Sequence, residues 1–163
     1  MKNLTLTICL SLAVLLGSAG TSWGADYDKG LAAYQSGDFA TALREWRPLA
    51  EQGDAVAEFL LGAMYDEDHG VPQDDKTAVK WYTLAAEQGF ARAQFNLGVM
   101  YTNGLGIPLD NVYAHMWLNI AASNGDEDGG KLQDGVAKSM TPSEVEKAEK
   151  LASECIRKKY KGC

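Results

Sequence analysis

"WYTLAAEQGFARAQFNLGVMY", residues 81–101, is one passage of a text that the chain repeats. "AAEQG" at 85–89 follows "LAEQG" at 49–53 and precedes "AASNG" at 121–125, 36 residues apart each time. Sliding the sequence by 36 brings Ala57 onto Ala93, Leu61 onto Leu97, Gly62 onto Gly98 and Tyr65 onto Tyr101. Further on it brings Gly70-Val71-Pro72 onto Gly106-Ile107-Pro108, Asp74 onto Asp110, Ala78 onto Ala114 and Trp81 onto Trp117. A period of 20–50 residues is the mark of a stacked array.

Each unit predicts two helices. The first covers "AVAEFLLGAMY" (55–65), with Asp54 as its cap. The second covers 75–88, with Asp74 or Asp75 at its start and Gly89 at its left-handed stop. Gly70 and Pro72 force the chain out of the helix between them. Gly62, Gly98, Ala78 and Ala114 let neighbouring helices approach, and Trp81, Trp117, Tyr65 and Tyr101 are expected to fill the gaps, both tryptophans largely buried. A single pair is apolar on too many sides, so each unit is stable only within the stack.

A shortened copy lies upstream at 31–53, where "SGD" (36–38) replaces the longer link. Downstream, 126–140 predicts a short helix weakened by Gly135. Then "TPSEVEKAEKLASECIRKKY" (141–160) is a well-signed helix, with Thr141 as N-cap, Pro142 at the first position and Glu144 closing a capping box. Its stripe of Val145, Ala148, Leu151, Ala152 and Cys155 makes it a capping helix for the open end, with Lys158, Lys159 and Lys161 at its C-terminus.

The motifs A-x-x-x-L-G-x-M-Y (57–65, 93–101), the glycine-Val/Ile-Pro-x-Asp link and W-x-x-x-A-A-x-x-G resemble the Sel-1-like repeat family, relatives of the tetratricopeptide repeats. The resemblance covers about 26–160. It implies an all-α, right-handed α/α superhelical solenoid of helix-turn-helix repeats. It also implies a role in holding other proteins, often in exported bacterial or membrane-associated complexes. Many cysteine-rich secreted members cross-link each repeat; here neither full repeat has a cysteine.

The N-terminus has the grammar of a secretory signal peptide: Lys2, an apolar run from Leu4 to Leu16, then small residues up to "TSWGAD" (21–26). Cleavage after Gly24 puts Ser22 at the minus-three position, whereas a cut after Ala25 puts bulky Trp23 there. The alternative is a buried N-terminal helix; a lipid anchor at Cys9 is disfavoured by Ile8 before it. The domain plan is thus a signal segment at 1–24 and one repeat domain at 25–163, divided at 25–53, 54–89, 90–125 and 126–163. No other stretch approaches 18 apolar residues, so the mature protein is expected to be soluble, and periplasmic or secreted.

The formal charge is −7, and −8 once Lys2 is removed, which makes nucleic acid a poor partner. Cys155 and Cys163 remain, an even number that suggests one disulfide in an exported chain. Gly162 can turn the tail back on the helix end; the rival is a buried Cys155 with Cys163 free for a partner.

Little points to chemistry. His69 lies in an acidic loop and His115 within a second helix, at the place of Val79. "DEDHG" lacks the spacing of a calcium loop, and "NGDEDG" (124–129) has Gly135 where that loop needs Glu, so these carboxylates read as helix caps and a solvated rim. No catalytic signature of serine, zinc or phosphate chemistry occurs, and no cofactor or metal is expected. Some members of the family are described as penicillin-binding, which keeps a β-lactam-binding or β-lactam-hydrolysing protein as the alternative; the chain supplies no nucleophile–base pair for it. The expected function is a monomeric scaffold or adaptor for a protein or peptide partner, with an inhibitory subunit of a larger complex as a further alternative. On the helical wheel, Ala93, Leu97 and Tyr101 share the packed face. Val56, Leu60 and Ala63, with Arg92, Asn96 and Val99, point the other way and are the candidate contacts on the concave side, unless adjacent units cover them.

Overall fold

The computed structural model describes residues 23–163. The expected signal segment lies, up to Ser22, outside the described residues. Among the described residues there are eight α-helices and no strand. They are α1 (Trp23–Gln35), α2 (Phe39–Glu51), α3 (Ala55–Asp66), α4 (Asp75–Ala86), α5 (Ala91–Asn103), α6 (Asn111–Ser123), α7 (Glu127–Ala137) and α8 (Pro142–Arg157). The pairs are α1/α2, α3/α4 and α5/α6, and the second helix of each packs on the first helix of the next. This is a helical solenoid.

The helix ends follow the repeat. Asp38, Asp74 and Asp110, one every 36 residues, cap α2, α4 and α6 by accepting early backbone N–H groups. Asp54 and Asp126 do the same for α3 and α7. Between them in register stands Phe90, which gives α5 no side-chain cap. Gly53, Gly89 and Gly125 end each unit with φ of +89°, +87° and +95°, a conformation that costs other residues energy. The Thr141–Glu144 capping box of α8 is formed in both directions.

Within each pair the contact centres on a glycine. A β-carbon on Gly62 would stand 2.6 Å from the Tyr82 ring, and one on Gly98 would stand 2.6 Å from Leu118. Gly30 faces Trp46 in the same way. Trp46, Tyr82 and Leu118 are again 36 residues apart, so one large side chain per second helix lies over a bare patch of the first. All three are fully buried. The two tryptophans expected to be largely buried differ in degree. Trp117 is buried at 3 % exposure, but Trp81 is half-buried at the margin of the first core. Tyr82 takes the slot against Gly62, and α4 packs chiefly on α3 and α5, whereas α6 also carries α7 and α8.

The core is a chain of clusters, as stacking requires. One surrounds Trp46, Leu61 and Met64; a second Tyr82, Met100 and Trp117; a third Leu118 and Val136. Two polar residues are buried in register. Glu58 accepts from Gln88 Nε2 at 2.7 Å, and Gln94 accepts from Asn124 Nδ2 at 2.8 Å. Each ties a first helix to the turn that ends its own unit. Burial raises the Glu58 pKa, and the Gln88 bond opposes that shift only in part.

The capping helix α8 packs on α6 rather than pairing with α7, through Ala148, Ala152 and Cys155. Its tail runs back to the turn after α4. Tyr160 packs on Gly89 and donates to Asn124 Oδ1 at 3.0 Å, and the Gly162 N–H donates to Glu87 at 3.0 Å. Lys159 and Tyr160 take positive φ there. The sulfurs of Cys155 and Cys163 come to bonding distance, with their α-carbons 5.6 Å apart.

Candidate partner-binding face

Packing consumes most of each first helix. On α3, Ala57, Leu61 and Met64 enter the first core, while Glu58 and Gly62 face α4. On α5, Ala93, Leu97 and Met100 enter the second core, with Gly98 against Leu118. The face that remains carries the six candidate residues. Val56, Leu60, Ala63, Asn96 and Val99 are partly exposed, and Arg92 is exposed.

Three of the six are engaged within the chain. Leu60 packs on the edge of the first core. Arg92 places its Nε 3.3 Å from the buried carboxylate of Asp126, lies within 4.0 Å of Asp128, and sits over the Phe95 ring at 5.3 Å. It therefore fastens α5 to the cap of α7. Asn96 in turn meets the Tyr82 side chain, which leaves Val56, Ala63 and Val99 as the members of the face without such a tie. Leu132 on α7, partly exposed, is the equivalent of Asn96 one period on, and adding 36 once more to the spacing finds it. The face is apolar on α3 and mixed on α5, where Arg92 and Asn96 stand beside Val99; it offers packing surface rather than reacting groups.

The other polar clusters serve the fold. Asp126, the acid of "NGDEDG", accepts from the backbone N–H groups of Asp128 and Gly129 and pairs with Arg92. His69 stacks on Phe39 at 4.4 Å, and its Nδ1 lies 2.9 Å from the Tyr34 hydroxyl and 3.2 Å from Glu67, which joins the α3–α4 link to the first pair. Among the described residues no group of His, Cys, Asp and Glu has the arrangement of a metal site. The shallow hollow lined by Gln73, Asp74, Lys76 and Gly106 gathers no nucleophile–base pair.

His115 is buried among α6, α7 and α8. Its Nε2 pairs with the Gln133 amide at 3.2 Å, and its Nδ1 meets no hydrogen-bonding atom among the described residues. Burial lowers its pKa from the ordinary 6.5; Glu149 on α8 and Asp134 on α7 pull it back up by less. The unfolded chain therefore binds this proton more readily than the folded one. Stability contributed at this position is full above pH 6.5 and is lost as pH falls from there through the lower folded value. Thermal unfolding of the wild type against His115→Gln, at a series of pH values, checks this. The wild type loses more melting temperature on acidification than the variant; parallel curves refute the assignment.

These helices and their repeated contacts define a class, the α/α solenoids of two-helix repeats. The Sel1 repeat model matches residues 55–90 and 91–126. A Sel1 repeat protein from Oxalobacter formigenes is 34 % identical, with 69 % of this chain and 88 % of that one covered and a TM-score of 0.62. A protective antigen of uropathogenic Escherichia coli displaying an SLR fold superposes at a TM-score of 0.79 and 28 % identity, covering 85 % of this chain. This chain spans 31 % of that antigen. No curated protein matches. The chain belongs to the Sel1 repeat family, whose members are in general protein-interaction scaffolds. No described helix is long and apolar enough to cross a membrane.

Proposed function

We propose that this protein is an exported, non-enzymatic interaction module. It acts as a monomer and holds a protein or peptide partner on the face shared by α3, α5 and α7. The observation that carries this is the register of Val56, Leu60 and Ala63 with Arg92, Asn96 and Val99: the same positions of the first helix stay at least partly exposed in successive units, while Ala57, Leu61 and Met64, and Ala93, Leu97 and Met100, are packed into the cores. Export rests on the signal-like segment at 1–24 and on the Cys155–Cys163 pair, which needs an oxidising compartment to bond. Affinity capture from a periplasmic extract with residues 25–163 tests the reading. A partner retained by the wild type and lost with Val99→Asp is expected; equal retention by both contradicts it. The same preparation shows no turnover of a chromogenic β-lactam above a heat-killed control, and turnover abolished by one serine substitution contradicts the non-enzymatic reading.

The bond between Cys155 and Cys163 closes a loop of eight residues' separation and fastens the tail against Glu87 and Gly89. Its loss in Cys163→Ser costs roughly 2–3 kcal/mol on the chain-entropy account. Intact mass under non-reducing conditions checks the pairing: protein exported to the periplasm carries no free thiol, and two free thiols or a linked dimer refute it.

A further inference from the structure

The negative charge of this protein is concentrated in one unit. From 48 to 75 the chain carries Glu51, Asp54, Glu58, Asp66, Glu67, Asp68, Asp74 and Asp75, and no Lys or Arg. That is a charge of −8 in 28 residues, while the rest of 25–163 is neutral. Elsewhere cations balance the acids in number, and some meet them directly: Glu45 by Lys29, Glu87 by Lys161, Asp126 by Arg92 and Asp128 by Lys131. Among the described residues, none of these eight pairs with a Lys or Arg. Asp54 and Asp74 cap helices, Asp66 accepts from the Tyr82 hydroxyl, Glu58 accepts from Gln88, and Glu67 faces His69. Hydrogen bonds of this kind hold a carboxylate in place and leave its charge uncompensated.

The position of these acids matters as much as their number. They bracket α3, with Glu51 and Asp54 before it and Asp66, Glu67 and Asp68 at its end. Between them runs the apolar stripe Val56, Leu60 and Ala63. The helix is 12 residues long, so its two ends lie about 18 Å apart. An apolar strip between two uncompensated acidic ends is complementary to one kind of occupant.

We propose that α3 is the docking surface for a basic amphipathic segment of the partner, its apolar side chains on Val56, Leu60 and Ala63 and its Lys or Arg residues at the acidic ends. This rests on the interaction-module reading and names the chemistry of the partner. A like-charged acidic segment is excluded by the same field that steers a basic one.

A phage-displayed library of random peptides, panned on residues 25–163, tests it. The expected yield is peptides with Lys or Arg flanking apolar residues. Their affinity falls about tenfold or more in the variant carrying Glu51→Lys, Glu67→Lys and Asp68→Asn, and falls steeply with added salt. All three positions are exposed and none is a helix N-cap; Glu67 ends α3 through its backbone N–H, which the substitution keeps. Scrambled peptides of equal composition bind at least about tenfold more weakly, which separates docking from bulk attraction. Neutral or acidic winners, indifference to the variant and to salt, or equal binding of scrambled peptides overturns this inference and leaves the interaction module standing. No enrichment over a non-binding helical control overturns the interaction module itself.

Discussion

Trp117→Ala lowers the stability of the folded protein by about 3–5 kcal/mol, as expected for a large aromatic removed from a closed core. Trp117 is 3 % exposed and belongs to the cluster that joins Tyr82, Met100 and Ile120 to Ala152 and Cys155 of α8. Its removal opens a cavity beneath the capping helix as well as between repeats, and a small array has little stability to spare. Trp81→Ala at the equivalent position costs less, because that ring is only partly buried at the margin of the first core and its neighbour Tyr82 fills the slot against Gly62. Thermal unfolding followed by circular dichroism compares the two. Equal losses mean that the two units are packed alike, contrary to the structure.

Gly98→Val is the second large effect. A β-carbon there stands 2.6 Å from Leu118 Cγ and 3.3 Å from the Ala114 carbonyl oxygen, which belongs to the backbone of α6 and cannot rotate away. Overpacking a fitted core costs about 1–3 kcal/mol, and the fixed carbonyl puts this site at the upper end. Valine adds a second cost, since its branched carbon reaches further into the same gap. Gly135→Ala is the control. Nothing lies within 4 Å of a β-carbon at Gly135, and a glycine inside α7 weakens the helix, so alanine there gains about 0.5–1 kcal/mol. Chemical denaturation of both variants reads the contrast. A neutral Gly98→Val places the helix contact elsewhere on α5.

The period of 36 made most of the architecture legible. The expected helices at 55–65 and 75–88 compare with Ala55–Asp66 and Asp75–Ala86, because Asp54, Asp74 and Gly89 are punctuation that acts locally. What depended on tertiary contact was harder to see. Trp81 and Tyr82 are adjacent and about 100° apart on the wheel, and only the position of α3 decides which one is enclosed. The stripe Ala148, Ala152 and Cys155 shows that α8 packs, but nothing local shows that it chooses α6 over α7. Glu58 and Gln94 read as ordinary surface residues until Gln88 and Asn124, 30 residues on, fold over them. For the candidate face, the wheel separated positions such as Val56 and Val99 from the buried Ala57 and Leu97, while the tie between Arg92 and Asp126 was not legible, since it links two units.

Site-specific photocrosslinking in living cells addresses the proposed role most directly. A photoreactive residue at Val99 lies on the uncovered face of α5, and one at Leu84, 45 % exposed on α4, lies outside that face. A discrete adduct with another protein is expected from position 99 and none from position 84. Adducts from position 84 alone, or from neither position with the protein at normal levels, contradict a partner held on the face of the first helices.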